Sequence, residues 1–172
     1  MSTARTDALD ATRADWHRLA PDLDTEPMGT VGRILRIARL TTLMSDDLLA
    51  GHGLSRGEFD VLSAVRRAAG PLTPSQLARL LAASNASITK RLVALEAAGL
   101  ARRERTNTDR RIVTVTATEE GVARVDRAIP GQLALERSLV DVLDGPERAG
   151  LEVVLRQVLL ECESRIHAEP AV

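Results

Sequence analysis

Residues 73–99 read TPSQLARLLAASNASITKRLVALEAAG, and their punctuation decides the fold. Thr73 and Gln76 stand at capping-box spacing, and Pro74 takes the first helical position, where its missing N–H costs nothing. A short helix therefore opens there and reaches Leu81. A tight turn of small side chains follows, Ser84 caps a second helix that runs to Ala98, and Gly99 is a left-handed stop. Within the second helix Ile88, Leu92 and Leu95 repeat at helical spacing and must face a core. Asn85, Ser87, Thr89, Lys90 and Arg91 are left pointing elsewhere.

Immediately downstream, residues 101–105 and 111–117 read as a hairpin, the second run β-branched (Ile112-Val-Thr-Val-Thr116) and the tip, Thr106–Arg110, polar and charged. Immediately upstream, Ser55 and Glu58 form another capping box, Phe59, Leu62 and Val65 follow on one face, and Gly70-Pro71 ends that helix. Helix, short helix, turn, polar-headed helix and hairpin together make a winged helix-turn-helix.

Beyond this lobe, residues 6–20 read as a short helix with Leu9, Trp16 and Leu19 on one side, and residues 21–29 as a loop with two prolines. From Val31 an apolar stripe runs through Leu48 and Leu49 to Gly51 and Gly53. Thr118 caps a helix carrying Val122, Val125 and Ile129 that meets a kink at Pro130-Gly131. Asp144 and Glu147 open a last helix whose apolar face holds Leu151, Val154, Leu155, Val158, Leu159 and Cys162. The expected fold class is mainly α with a small β-hairpin wing. N-terminal helices (1–53, dimerisation and ligand-pocket wall) and C-terminal helices (118–172, dimerisation) flank a winged lobe at 54–117. The flanking helices lack a partner inside so small a lobe, and a symmetric homodimer is the simplest source of burial.

Composition agrees with a helical protein. Of 172 residues 44% are hydrophobic, yet the chain has one Trp, one Phe and no Tyr, so aliphatic side chains build the core. No apolar run approaches the roughly 20 residues that cross a bilayer. The polar N-terminus lacks a signal-peptide core, so a cytoplasmic location with no membrane partner is expected. One cysteine excludes an internal disulfide. Net charge is only −1, but residues 79–111 carry +5 and the remainder −6, the pattern of a local surface for double-stranded DNA.

In a helix-turn-helix the second helix presents its first turns to the major groove. Ser84, Asn85, Ser87 and Thr89 are small and polar enough to let the backbone approach base edges, and Lys90 can reach phosphate or guanine. At the wing tip Arg110 or Arg111 can enter the minor groove with Asp109 orienting one guanidinium. An enzyme is not expected, nor a cofactor. The chain has no phosphate-binding glycine loop, nucleophile elbow or metal-spaced His/Cys cluster, and His17, His52 and His167 are far apart in sequence. Cys162 on an apolar face suits an inert small hydrophobe, with a thiol-oxidation sensor as the alternative.

The stretches Leu54–Leu62, Leu77–Leu81, Arg91–Leu100, Thr108–Arg111 and Thr114–Gly121 resemble the MarR family of bacterial regulators. The resemblance covers roughly residues 30–165 and implies a helical dimer with two winged lobes on a pseudo-palindromic operator, usually a repressor. Asp109 and Arg111 fall on the family's wing-tip Asp-x-Arg. Trp16, Asp60, Arg91 and Arg103 match a urate-responsive subgroup that has an extra N-terminal helix. That match implies release of DNA by a small anion such as urate, with Arg103 pairing the anion and Asp60 partnered by Arg91. Other small anions, or a phenolic compound, remain alternatives.

Overall fold

In the computed structural model, which describes residues 6–105 and 112–167, the elements follow the expected order. Helix α1 (Ala8–Leu19) is capped by Asp7, whose side chain accepts from the Leu9 and Asp10 amides. The chain re-enters helix earlier than the prolines suggest. A wide π-type turn at Met28–Gly32 leads directly into α2 (Arg33–Ala50). Gly32 allows this, because a β-carbon there would lie 2.7 Å from Leu9 Cδ1. Arg33 fastens the two segments: its Nε donates to Asp7 at 2.7 Å, its Nη2 to Asp10 at 2.6 Å and its Nη1 to the Gly29 carbonyl at 2.8 Å.

Helix α3 (Arg56–Arg67) begins at Ser55 with both halves of the capping box formed. Helix α4 (Pro74–Leu80) begins at Thr73 in the same way. Helix α5 (Asn85–Ala97) begins at Ser84, whose Oγ accepts from the Ser87 amide at 3.1 Å. The turn between α4 and α5 is tight enough to put Ala82 at φ +46°, and Gly99 closes α5 at φ +69°. Strands β1 (Ala101–Arg105) and β2 (Val113–Ala117) pair antiparallel, with Ala101 opposite Ala117 and Arg105 opposite Val113. Leu72 adds a bridge to Val115 through two backbone hydrogen bonds, 3.3 and 2.7 Å, which ties the wing to the start of α4.

The core of this lobe is aliphatic, as the composition requires. Leu49, Val61, Leu62, Leu77, Ile88, Leu92, Leu95, Leu100, Val115 and Val125 are fully or almost fully buried. Each leucine so buried contributes roughly 1.5–3 kcal/mol over its exposed form. Helix α6 (Glu119–Val140) starts at Thr118, whose hydroxyl accepts from the Gly121 amide at 3.0 Å and donates to the Gly99 carbonyl at 2.8 Å. Gly121 passes so close to the chain before β1 that a β-carbon would fall 1.9 Å from the Leu100 carbonyl oxygen.

The chain divides into two compact units at Pro130–Gly131, inside α6, which remains helical through the proline. The second unit contains the end of α6 and helix α7 (Gly145–His167), opened by the reciprocal Asp144–Glu147 bonds at 2.9 and 2.8 Å. From Gly150 to Ile166 every side chain of α7 is exposed, Cys162 among them.

Candidate nucleic-acid interface and the cavity behind it

Helix α5 presents two faces of opposite character. Ile88, Leu92 and Leu95 anchor it in the core, while Asn85, Thr89 and Lys90 stand exposed. The Thr89 hydroxyl donates to the Asn85 carbonyl at 2.9 Å, so it lies along its own helix. Ser84 is engaged as the cap and Ser87 is half-buried. Asn85 and Lys90 are thus the long polar side chains of this face, on a helix whose N-terminal amides carry partial positive charge. Asp109, Arg110 and Arg111 lie outside the described residues. The wing strands that lead to them carry Arg102, Glu104 and Arg105, all exposed.

Behind α5 is a cavity of about 450 Å³. Thr42 and Asp46 of α2, the first turn of α3, Asp60, and Ser87, Lys90, Arg91 and Ala94 of α5 form its walls. Each carboxylate there has an assignment. Asp46 accepts from the Arg56 amide at 2.6 Å, and Glu58 accepts from the Ser55 amide at 2.8 Å. Asp60 accepts from Arg56 Nε at 2.9 Å, and Arg56 Nη1 reaches Ser45 Oγ at 3.1 Å. Among the described residues no carboxylate pairs with Lys90 or Arg91. Among the described residues the cavity therefore holds two cations, Lys90 and Arg91, without a carboxylate partner, facing acids already in use.

This geometry corrects part of the expectation from sequence. Asp60 and Arg91 do share one cavity, but the partner of Asp60 is Arg56, not Arg91. Arg56 was missed, although its i,i+4 spacing to Asp60 is readable on any helix. Arg103 does not line the cavity. Its Nε donates to Glu96 Oε2 at 2.9 Å and its amide to Oε1 at 3.1 Å, joining β1 to the end of α5. The Arg103 guanidinium holds the Glu96 carboxyl below its ordinary range, and Glu96 in turn raises Arg103. Trp16 is exposed on α1 and is likewise not among the lining residues. Among the described residues no group of three His, Cys, Asp or Glu is arranged to hold a metal ion.

A buried helix-turn-helix with a polar reading face and a bridged two-stranded wing defines a winged-helix DNA-binding protein. Comparison with known proteins narrows this. The model of the MarR family matches residues 52–112. The chain is 34% identical over 145 residues to the HTH-type transcriptional regulator PecS of Dickeya dadantii (strain 3937), covering 83% of this chain and 87% of that one. A mutant MarR from E. coli complexed with operator DNA superposes with a TM-score of 0.70 at 25% identity, covering 84% and 97%. AbsC, a MarR family regulator from Streptomyces coelicolor, shares the fold with a TM-score of 0.72 at 24% identity, covering 83% and 97%. This chain belongs to the MarR family and is a DNA-binding transcriptional regulator. No described helix is long and apolar enough to cross a membrane.

Proposed function

We propose that the chain is a homodimeric repressor, acting in the cytoplasm, that binds a pseudo-palindromic operator and releases it when a small anion enters the cavity behind α5. Urate is the leading effector, from the subgroup resemblance. The observation that carries this reading is the pair Lys90 and Arg91, unpaired among the described residues, in a cavity one wall of which is the recognition helix itself. An anion there engages Arg91 on the cavity wall and draws the exposed Lys90 inward, away from phosphate it would otherwise meet. It also repels Asp60, which is held by Arg56 on α3. Asn85, Ser87 and the wing-tip Arg110 and Arg111 supply the DNA contacts in this reading, and Ser84 sets the helix that presents them. Trp16 and Arg103 have no part in the cavity as it stands.

Such a switch works only through differential binding. A 100-fold loss of DNA affinity requires about 2.7 kcal/mol of coupling, and DNA must weaken anion binding equally. The test is urate titration of the protein bound to the DNA upstream of its own gene. Urate should release the parent, and Arg91→Ala should need about tenfold more. Arg103→Ala should respond as the parent does. Equal response from parent and Arg91→Ala would place the effector elsewhere.

A further inference from the structure

Gly57 is the second residue of α3, with ordinary helical backbone, so its own conformation does not ask for glycine. A glycine inside a helix is less stable than alanine, so its presence there points to a neighbour that needs the space. The neighbour is Arg91. A β-carbon built on Gly57 would stand 2.6 Å from Arg91 Nε, 2.9 Å from Cζ and 3.2 Å from Cδ. The end of the Arg91 side chain therefore runs against bare α3 backbone, closer than it could come to any other residue type.

We infer that Gly57 is a positioning residue, a seat that holds the Arg91 guanidinium in the cavity and thereby links the recognition helix to α3. The functional half of this inference rests on the anion reading of the same cavity. Arg91 arrives at the seat from α5 as the far end of a flexible side chain, so a methyl group at position 57 does not break the helix or strain the backbone. It only evicts the guanidinium. The charge then leaves the cavity wall, and an anion there loses one of its two cations. Lys90, on the preceding residue, lines the same cavity, but the three atoms nearest the Gly57 position all belong to Arg91.

The consequence is unusual for a glycine-to-alanine change, since stability and response should move in opposite directions. The experiment uses the full chain in four forms: parent, G57A, R91A and the double variant. Thermal melting reports stability. Nitrogen-15 spectra of arginine Nε–H groups report the seat, with the Arg91 signal assigned by its loss in R91A. Urate-driven release from DNA reports function. G57A should melt no lower than the parent, while its Arg91 signal moves into the envelope of exposed arginines. Its half-release concentration of urate should rise about tenfold, the double variant responding no worse than R91A alone. An unchanged Arg91 signal in G57A overturns the inference, as do losses that add in the double variant, because Gly57 would then act independently of Arg91. Should R91A itself release DNA at the parental urate concentration, the anion reading fails, and a displaced Arg91 signal in G57A still supports the seat.

Discussion

Helices α5 and α7 are both rich in aliphatic side chains, and the two satisfy them in opposite ways. In α5 Ile88, Leu92 and Leu95 are 0, 0 and 1% exposed, and the polar residues keep to the other faces. In α7 Leu151, Leu155, Val158 and Leu159 remain 40, 42, 38 and 57% exposed, and Val153, Val154 and Leu160 carry apolar surface onto further faces. A helix that is apolar on several sides is normally surrounded. The winged lobe closes its core with Leu49 of α2 and Val125 of α6, from the same unit, whereas α7 exposes a surface that water disfavours. That difference is what the proposed homodimer explains, with α7 as the element that a second copy covers.

The contrast can be broken from either side. The largest effect should come from Gly121→Ala. A new methyl group there meets the Leu100 carbonyl oxygen at 1.9 Å, and backbone cannot swing aside as the Arg91 side chain can. The lobe should lose about 3 kcal/mol or more in urea unfolding. Normal stability would mean that the approach of α6 to β1 is adjustable.

On the other side, Leu155→Asp combined with Leu159→Asp should leave the lobe folded but turn the protein monomeric in sedimentation. DNA affinity should then fall on the order of 100-fold, because two tethered lobes no longer bind together. A dimer that survives both charges would move the interface off α7.

Smaller changes sharpen the account of the lobe itself. Ser84→Ala removes the acceptor of the Ser87 amide and should cost about 1 kcal/mol, with DNA affinity reduced through fraying of the first turn of α5. Ala82→Gly should do the reverse. Ala82 sits at φ +46°, where a β-carbon is strained, and glycine there should add about 0.5 kcal/mol to the unfolding free energy.

What could be read from the sequence follows from how local each determinant is. The capping residues Ser55, Thr73, Ser84 and Asp144 announce their helices because a cap involves only residues three apart, and all four caps form as expected. The buried face of α5 was legible for the same reason, since one helical period fixes it. The site was legible only in part. Asp60 and Arg91 do meet at one cavity, but through α3 and α5 packing, which no spacing encodes. Arg103 pairs with Glu96 because β1 folds back beside α5, a tertiary accident invisible to periodicity. Gly57 carries no signal at all in sequence. A glycine in a first helical turn looks like indifference until the residue lying on it is known.

The Arg33 clasp makes the attachment of α1 depend on a small group of charges. Hydrogen bonding from Arg33 holds the Asp7 carboxyl below its usual value of 3.8, while the Asp7 amide and then Arg33 do the same for Asp10. Carboxyls lowered in this way contribute fully above 3.8 and lose that contribution only as pH falls through their depressed values, so neutral or mildly acid solution leaves the clasp intact. Salt is the effective lever instead, because Asp7 is exposed and Arg33 and Asp10 are only half-buried, so solvent ions screen their charges within about 10 Å at 0.1 M. Raising ionic strength therefore works on the two ends of the unit unequally. It loosens the first helix while leaving the aliphatic centre untouched, and a protease added in high salt should cut first in the segment between Ala20 and Pro27.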